Sequence, residues 1–237
     1  RRGCLKTSDG SRKMNGVTVL QLDTSFPRVP GDVGCSDTYL VPLDRHIVPG
    51  ATVGRIVTHS PSKIQIEPFE RALLAASGDV VVSSCGFLSF WQGHLAAQTS
   101  KPFISSALIA LEQLSRTYAP GEVLILTFDA QRLTSAHLGA HADYAPGIVG
   151  MPVDMHLRRV ISENRSVIDM DLAHAELTSF VAAQVRPQHR HILLECTNLP
   201  PYKAAISAAA DLPVTDILTL IEKAGPDTVK KRFLGKL

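Results

Sequence analysis

Two cysteines, Cys85 and Cys196, close two stretches of the chain that follow the same pattern. Each cysteine comes directly after an apolar run of strand length and directly before a helical pattern. The proline that opens the next short strand follows at the same distance in both copies, since Pro102 lies 17 residues after Cys85 and Pro213 lies 17 residues after Cys196. This matched register predicts a duplicated α/β unit with one thiol on each side of a shared site.

The predicted position of the thiols favours acid–base chemistry. Both cysteines stand at the carboxyl end of a strand and at a helix start, where free N–H groups and the positive end of the helix dipole stabilise a thiolate or bind a carboxylate. A thiolate is a base, and its conjugate thiol is an acid. With one sulfur on each face of a bound α-carbon, the pattern predicts cofactor-independent racemisation. A single cysteine after an apolar strand would instead be interpreted as an inert core residue, as Cys35 is interpreted as an incidental loop residue.

Composition excludes several other classes of protein. The chain has 237 residues, of which 45% are hydrophobic and 19% charged, as in globular proteins. A net charge of +2 gives little attraction to nucleic acid or membrane, and no apolar run approaches the ~18 residues of a membrane span. The polar N-terminus does not read as a signal peptide, so residues 1–13, with Cys4, are interpreted as a flexible tail. The four cysteines fit a reducing cytoplasm better than a disulfide framework, and none shows metal-ligand spacing.

Short β-branched runs alternate with helical patterns, which is typical of parallel α/β architecture. The sequence predicts two sheets of about four strands each, flanked by helices, with ligands at the carboxyl ends of the strands. The predicted strands are residues 17–22, 53–58, 80–83, 103–104, 122–127, 147–149, 192–194 and 214–215. The predicted helices are residues 66–77, 86–98, 105–118, 135–138, 171–185, 202–210 and 216–232.

The motifs Ser-Cys-Gly at 84–86 and Glu-Cys-Thr-Asn at 195–198, with the equal spacing to proline, resemble those of the aspartate/glutamate racemase superfamily. The segment 26–34 is similar to that of racemase-like proteins whose substrates are poorly defined. The resemblance covers residues 16 to 225. It implies two pseudo-symmetric domains with the active site between them, helices exchanged at the domain junctions, and a homodimer. The corresponding domains are residues 14–104 plus 216–237, and residues 105–215.

The resemblance also implies roles for single residues. Cys85 and Cys196 match the two catalytic bases, and Thr197 matches the residue that holds the substrate carboxylate. Asp23 matches the acid that orients the first thiol or the substrate amine. Two positions depart from glutamate racemases: Gly86 and Phe87 replace Asn-Thr after the first cysteine, and Asn198 replaces the histidine two residues after the second.

Further candidates come from the loops after the strands. Arg28 is either a partner for a substrate carboxylate or a solvated loop residue. Thr24 belongs to the acidic–hydroxyl pair after the first strand, and Thr127, with Asp129 after it, mirrors that pair in the second half. Thr134, with His137, either reaches a ligand or caps a helix. Glu195 either raises the pKa of Cys196 by like-charge repulsion or points to the opposite side of the strand.

The function predicted from the sequence is that of a racemase or epimerase independent of pyridoxal phosphate. It would act on a carboxylate-bearing amino acid or derivative, with no cofactor, no metal, and a small carboxylate as its partner. Two alternatives stay open. One is a cis–trans isomerase of an unsaturated dicarboxylate with one cysteine as nucleophile, and the other is a small-molecule-binding protein without catalysis.

Overall fold

Two parallel sheets make up the frame of the computed structural model, which describes residues 14–235. The expectations for residues 1–13 and for Cys4 lie outside the described residues. The first sheet has the order β2-β1-β3-β4, and the second has the order β6-β5-β7-β8. The strands are β1 Val17–Leu22, β2 Leu43–Val48, β3 Val80–Ser83, β4 Phe103–Ile104, β5 Val123–Thr127, β6 Ile148–Gly150, β7 His191–Leu194 and β8 Val214–Thr215.

The central strands of each sheet are apolar runs buried on both faces. Every residue of β1 and β3 is buried in the first sheet, as is every residue of β5 and β7 in the second. Parallel strands covered by helices on both faces need such continuous apolar sequences. The strand pairing is also repeated, because β1 lies between β2 and β3 as β5 lies between β6 and β7. The predicted fold class, two parallel four-stranded sheets flanked by helices, is confirmed.

Helices and short 3-10 segments connect the strands. The α-helices are α1 Val53–Ile56, α2 Glu67–Leu74, α3 Gln92–Ala96, α4 Leu111–Leu114, α5 Ser135–Leu138, α6 His156–Ser162, α7 Met170–Gln184, α8 Lys203–Ala210 and α9 Ile217–Ala224. The 3-10 helix Gly86–Trp91 follows Cys85 directly, and the 3-10 helix Ala107–Ala110 follows the capping residue Ser106. No helix within residues 14–235 has both the length and the apolar character needed to cross a bilayer.

The prediction of a strand at residues 53–58 is wrong. The second strand is β2, whose residues before Val48 are half-buried or exposed and include Asp44 and Arg45. An edge strand keeps one side open to solvent, so it tolerates charged residues and has no continuous apolar run that would predict a strand. Residues 53–56 form α1 instead, which brings Val53 and Val57 to the pocket described below.

The predicted C-terminal helix is shorter than expected. It ends at Ala224 rather than near Arg232, because Gly225 and Pro226 follow and cannot continue it well. As predicted, Asp216 caps its start, accepting a hydrogen bond from the Thr219 N–H at 2.9 Å. This helix, α9, packs against β3 and β4.

Candidate active site

The two cysteines reach one pocket from equivalent positions in the two sheets. Cys85 follows β3 after Ser84 and is the N-cap of the 3-10 helix Gly86–Trp91. Cys196 follows β7 after Glu195. Both side chains are buried, and both line the same pocket. The structure therefore brings the two thiols to one cavity at the carboxyl ends of the central strands.

Hydrogen bonds hold the two cysteine loops in place. The Ser83 hydroxyl accepts a hydrogen bond from the Cys85 N–H at 3.0 Å and donates one to the Cys85 carbonyl at 3.0 Å. The Thr197 hydroxyl donates to the Ser84 carbonyl at 2.5 Å, which joins the loop after β7 to the loop after β3. Because this bond crosses between the sheets, it fixes the position of one thiol relative to the other.

Burial raises the pKa of both thiols. The pKa of Cys85 rises to about 12, first through burial and then through the negative charge of Glu195. The Phe87 N–H and the positive charge of Arg28 act in the opposite direction. Burial and Glu195 also raise the pKa of Cys196, as do the charges of Cys85 and Asp32, while the Asn198 N–H lowers it. Cys85 is therefore the thiol whose ionised form a nearby cation stabilises.

The carboxyl group of Glu195 lies between the two cysteine loops. Its side chain is buried, and Oε2 accepts a hydrogen bond from the Thr127 hydroxyl at 2.5 Å. Within residues 14–235, Oε1 has no hydrogen-bond partner. Oε1 lies against Gly86, so close that a Cβ atom there would come within 2.1 Å of it. Of the two orientations left open by the sequence, Glu195 thus points toward the thiols, and Gly86 provides the space.

The burial of Glu195 should make folding stability depend on pH. Burial raises its pKa from 4.5 to about 7, against the opposing hydrogen bond from Thr127. Since the folded-state pKa lies above the unfolded one, the free energy of unfolding should fall as pH rises from about 4.5 to about 7. We expect Glu195→Gln to remove this pH dependence of the free energy of unfolding, whose slope approaches about 1.4 kcal/mol per pH unit. Urea unfolding of the wild-type and Glu195→Gln proteins at pH 5, 6 and 7 checks this. If the difference between their free energies of unfolding is the same at all three pH values, the prediction is contradicted.

Arg28 is a buried cation at the edge of the pocket. Its Nη1 donates to Asp32 Oδ1 at 3.3 Å, and its Nη2 donates to the Thr24 hydroxyl at 3.1 Å. Its Nε is buried and has no hydrogen-bond partner within residues 14–235. Asp32 also accepts a hydrogen bond from the Asn198 amide at 2.7 Å, which links the Arg28 loop to the second cysteine loop. Of the two interpretations of Arg28, the solvated loop residue is therefore excluded.

Aromatic rings form much of the pocket wall. Phe26, Phe87 and Phe128 line it, and the guanidinium groups of Arg28 and Arg158 stack on Phe26 and Phe128 at 4.4 and 4.2 Å from the ring centres. Aliphatic side chains complete the wall: Leu22, Val53, Val57 and Ile161. The pocket thus combines a largely apolar wall with thiol, carboxyl and guanidinium groups.

Solved structures share this architecture. An aspartate racemase homologue from Pyrococcus horikoshii OT3 matches with a TM-score of 0.50 at 16% sequence identity, over 89% of this chain and 99% of that one. The allantoin racemase of Pseudomonas fluorescens matches with a TM-score of 0.52 at 10% identity, over 93% of this chain and 97% of that one. The chain shares its fold with these two proteins. The fold expected from the cysteine motifs is confirmed, and at these identities the likeness shows the fold alone.

The relatives found by sequence are named lyases, whereas the two solved structures are described as a racemase and a racemase homologue. The chain is 29% identical over 230 residues to dimethylsulfoniopropionate lyase 5 of Emiliania huxleyi, and 27% identical over 224 residues to the dimethylsulfoniopropionate lyase of Durusdinium sp. clade D. Each alignment includes 89% of this chain, but it covers 45% of the Emiliania protein and 74% of the Durusdinium protein. The chain thus spans about half the length of the Emiliania relative. No family model matches the chain.

On the racemase fold, the residues predicted for the site divide into two groups. Seven of them line the pocket: Arg28, Cys85, Gly86, Phe87, Cys196, Thr197 and Asn198. The Thr197 hydroxyl, expected to hold a substrate carboxylate, donates its hydrogen bond to the Ser84 carbonyl instead.

The other four predicted residues do not line the pocket. Asp23 is exposed and accepts a hydrogen bond from the Gly50 N–H at 3.0 Å, so it faces the loop after β2 rather than the first thiol. Thr24 contacts Arg28, and Thr127 lies behind Glu195. Thr134 is the N-cap of α5, where its N–H and its hydroxyl both contact His137 Nδ1. For Thr134 the structure shows the helix cap, the second of the two interpretations.

Sequence reasoning missed Asp32 and much of the pocket wall. The four-residue spacing of Arg28 and Asp32 was a signal for their ion pair, because a tight loop can bring such residues together. The wall residues Phe26, Phe128 and Ile161 gave no signal, since an apolar residue that lines a pocket looks like one of the core. Across residues 14–235, no three His, Cys, Asp or Glu side chains are arranged to hold a metal ion.

Proposed function

We propose that the chain catalyses β-elimination from a small carboxylate that carries a dialkylsulfonium group on its β-carbon, such as dimethylsulfoniopropionate. The observation that carries the proposal is the similarity to proteins named dimethylsulfoniopropionate lyases over 89% of the chain. The geometry supports it by supplying a candidate base, because two buried thiols line one pocket with apolar walls. A homodimer and a cytoplasmic location stay predictions.

The proposed reaction begins with the same step as racemisation. A thiolate takes the proton from the carbon next to the carboxylate, which makes that carbon electron-rich. In racemisation a second acid returns a proton from the opposite face. In the elimination the electron pair forms the Cα–Cβ double bond, the Cβ–S bond breaks, and its electrons go to sulfur. Dimethylsulfoniopropionate then gives propenoate, neutral dimethyl sulfide and one proton, so atoms and charge balance.

The pocket has groups that suit both ends of such a substrate. We assign the substrate carboxylate to Arg28, because its buried Nε has no partner and a buried donor without one is unfavourable. The sulfonium group suits the Phe87 ring, since cations bind to aromatic faces by about 0.5–2 kcal/mol, whereas Phe26 and Phe128 each already carry a guanidinium group on one face. The dimethyl sulfide that leaves is apolar and suits the apolar wall of the pocket.

Amino-acid racemisation is the second candidate function. Both thiols line one pocket, as a two-base mechanism requires, and both solved structures of the same fold are described as a racemase or a racemase homologue. In this reaction Cys85 and Cys196 would alternate as acid and base. The side chains of Thr197 and Asn198 donate to Ser84 and Asp32, which leaves few donors for the carboxylates of an acidic amino acid.

Product analysis separates the two reactions. We expect the protein to convert dimethylsulfoniopropionate to dimethyl sulfide, measured in the headspace, and an equal amount of propenoate, measured by NMR. A parallel panel of L-aspartate, L-glutamate and allantoin, followed by optical rotation, tests racemisation. Loss of rotation without release of dimethyl sulfide would contradict the lyase proposal and support the second candidate.

A further inference from the structure

We propose that Glu195 is the proton acceptor of the Cys85 thiol, so that the site contains three acid–base groups rather than two. This inference deepens the proposed function and rests on it for the substrate. The proton transfer between Glu195 and Cys85 is the same whichever carboxylate substrate is bound.

The placement of the Glu195 carboxyl group supports this role. Thr127 binds Oε2 and so fixes the group, while Oε1 is buried without a hydrogen-bond partner within residues 14–235. Oε1 lies against Gly86, the residue after Cys85, although Glu195 belongs to the strand end that carries Cys196. The carboxyl group therefore crosses from the second sheet to the first cysteine loop, and its unused oxygen lies on the Cys85 side.

A second negative charge in this buried site would be unfavourable. Ionisation of Cys85 beside an ionised Glu195 adds such a charge, which is part of the reason why the pKa of Cys85 is raised. If the thiol proton instead moves to Glu195 Oε1, the site keeps a single negative charge, now on sulfur, beside a neutral carboxylic acid. Among the groups facing the thiols, Arg28 favours the Cys85 thiolate. The charges of Cys85 and Asp32 disfavour ionisation of the second thiol, Cys196.

The proton movements balance over one turnover. The S–H bond of Cys85 breaks and an O–H bond forms on Glu195, which leaves a thiolate. The thiolate then forms a new S–H bond with the proton from the substrate α-carbon, and the sulfonium group leaves as neutral sulfide. Glu195 gives its proton to solvent, which is the proton released in the overall reaction. The charge on Glu195 is needed at the start, so kcat/KM should rise with pH through about 7.

Alkylation of the thiol tests the proposal without any substrate. If Glu195 only repels the thiolate, Glu195→Gln removes that repulsion and iodoacetamide should alkylate Cys85 faster. If Glu195 accepts the thiol proton, Glu195→Gln should alkylate Cys85 several-fold more slowly at pH 7.5. Mass spectrometry of the alkylated peptides reports on Cys85 alone. An equal or faster rate in Glu195→Gln, with circular dichroism showing a folded protein, would overturn the proposal.

Two further variants control this experiment. Glu67→Gln removes an exposed carboxylate from α2 and should leave the alkylation rate of Cys85 unchanged. Thr127→Val removes the hydrogen bond to Oε2 but keeps the carboxyl group and the side-chain shape. Since that hydrogen bond lowers the pKa of Glu195, Thr127→Val should shift the rise in alkylation rate to higher pH. An unshifted profile in a folded Thr127→Val protein would also contradict the proposal.

The activity assay keeps this proposal separate from the proposed function. We expect Glu195→Gln to lower kcat for dimethyl sulfide release by about 100-fold or more, the range of a lost general base. It should also abolish the rise of kcat/KM near pH 7. If Cys85 is alkylated slowly in Glu195→Gln but the wild-type protein releases no dimethyl sulfide, the role of Glu195 stands and the lyase function is refuted. Full lyase activity in Glu195→Gln would do the reverse.

Discussion

Cys85→Ser is expected to lower the rate of dimethyl sulfide release by about 1000-fold, within the range for loss of a general base. A serine hydroxyl at this position has nearly the same shape, but it ionises far less readily than a thiol. Cys85 is the thiol assigned to proton removal, because the Phe87 N–H and the charge of Arg28 stabilise its ionised form. The measurement is the initial rate of dimethyl sulfide release at saturating substrate, with circular dichroism to confirm the fold.

Two matched variants complete this prediction. Cys35→Ser changes a half-buried cysteine that does not line the pocket and should keep full activity. Cys196→Ser separates the two candidate functions, because elimination needs one base and racemisation needs both thiols. We expect Cys196→Ser to retain more lyase activity than Cys85→Ser. Equal and complete loss in both variants would favour a reaction that uses both thiols.

Gly86→Ala is expected to damage both the activity and the stability of the protein. The added Cβ would lie 2.1 Å from Glu195 Oε1 and 2.7 Å from the Glu195 carbonyl oxygen, so both the side chain and the backbone must move. Overpacking of this kind costs about 1–3 kcal/mol. A shift of catalytic groups by about 1 Å relative to the substrate lowers activity by about 100-fold. Urea unfolding and the dimethyl sulfide assay measure the two effects.

Gly93→Ala is the control for that substitution. Gly93 lies in α3, where an added Cβ would meet no atom within 4 Å. Alanine is a better helix former than glycine, so Gly93→Ala should raise the free energy of unfolding by up to about 1 kcal/mol and leave activity unchanged. If Gly86→Ala behaves like Gly93→Ala, the close approach of Glu195 to Gly86 does not exist in solution.

The parts of the fold that were predictable are those whose residues are buried on both faces. The strands at Val17–Leu22, Val80–Ser83 and Phe103–Ile104 were predicted with their observed bounds. Short apolar runs that contain β-branched residues are typical of buried strands. The edge strand Leu43–Val48 was missed, since most of its residues are not fully buried and Asp44, Arg45 and His46 interrupt its apolar run. The helix His156–Ser162 was missed as well, although its Leu157, Val160 and Ile161 follow helical spacing.

In the candidate site, the sequence predicted that the two cysteines and their immediate neighbours lie together, and these residues line one pocket. Their position follows from strand topology alone, because parallel strands end at the same edge of each sheet. The directions of short polar side chains depend on loop geometry, which local sequence does not determine. Asp23 turns to the Gly50 N–H for this reason, while Glu195, for which two orientations were equally open, turns toward the thiols. The link of Asp32 to the second cysteine loop had no local signal, because Asn198 lies 166 residues away in the sequence.

An isotope competition most directly tests whether this pocket removes a proton from the carbon next to a carboxylate. Ordinary dimethylsulfoniopropionate and the same compound with two deuterium atoms on its α-carbon are mixed with the protein, and the propenoate formed early is analysed by mass spectrometry. If a thiolate breaks the Cα–H bond in the step that commits the substrate, the early propenoate will be enriched in the undeuterated form. Propenoate with the isotope ratio of the starting mixture, or no propenoate at all, would contradict the account.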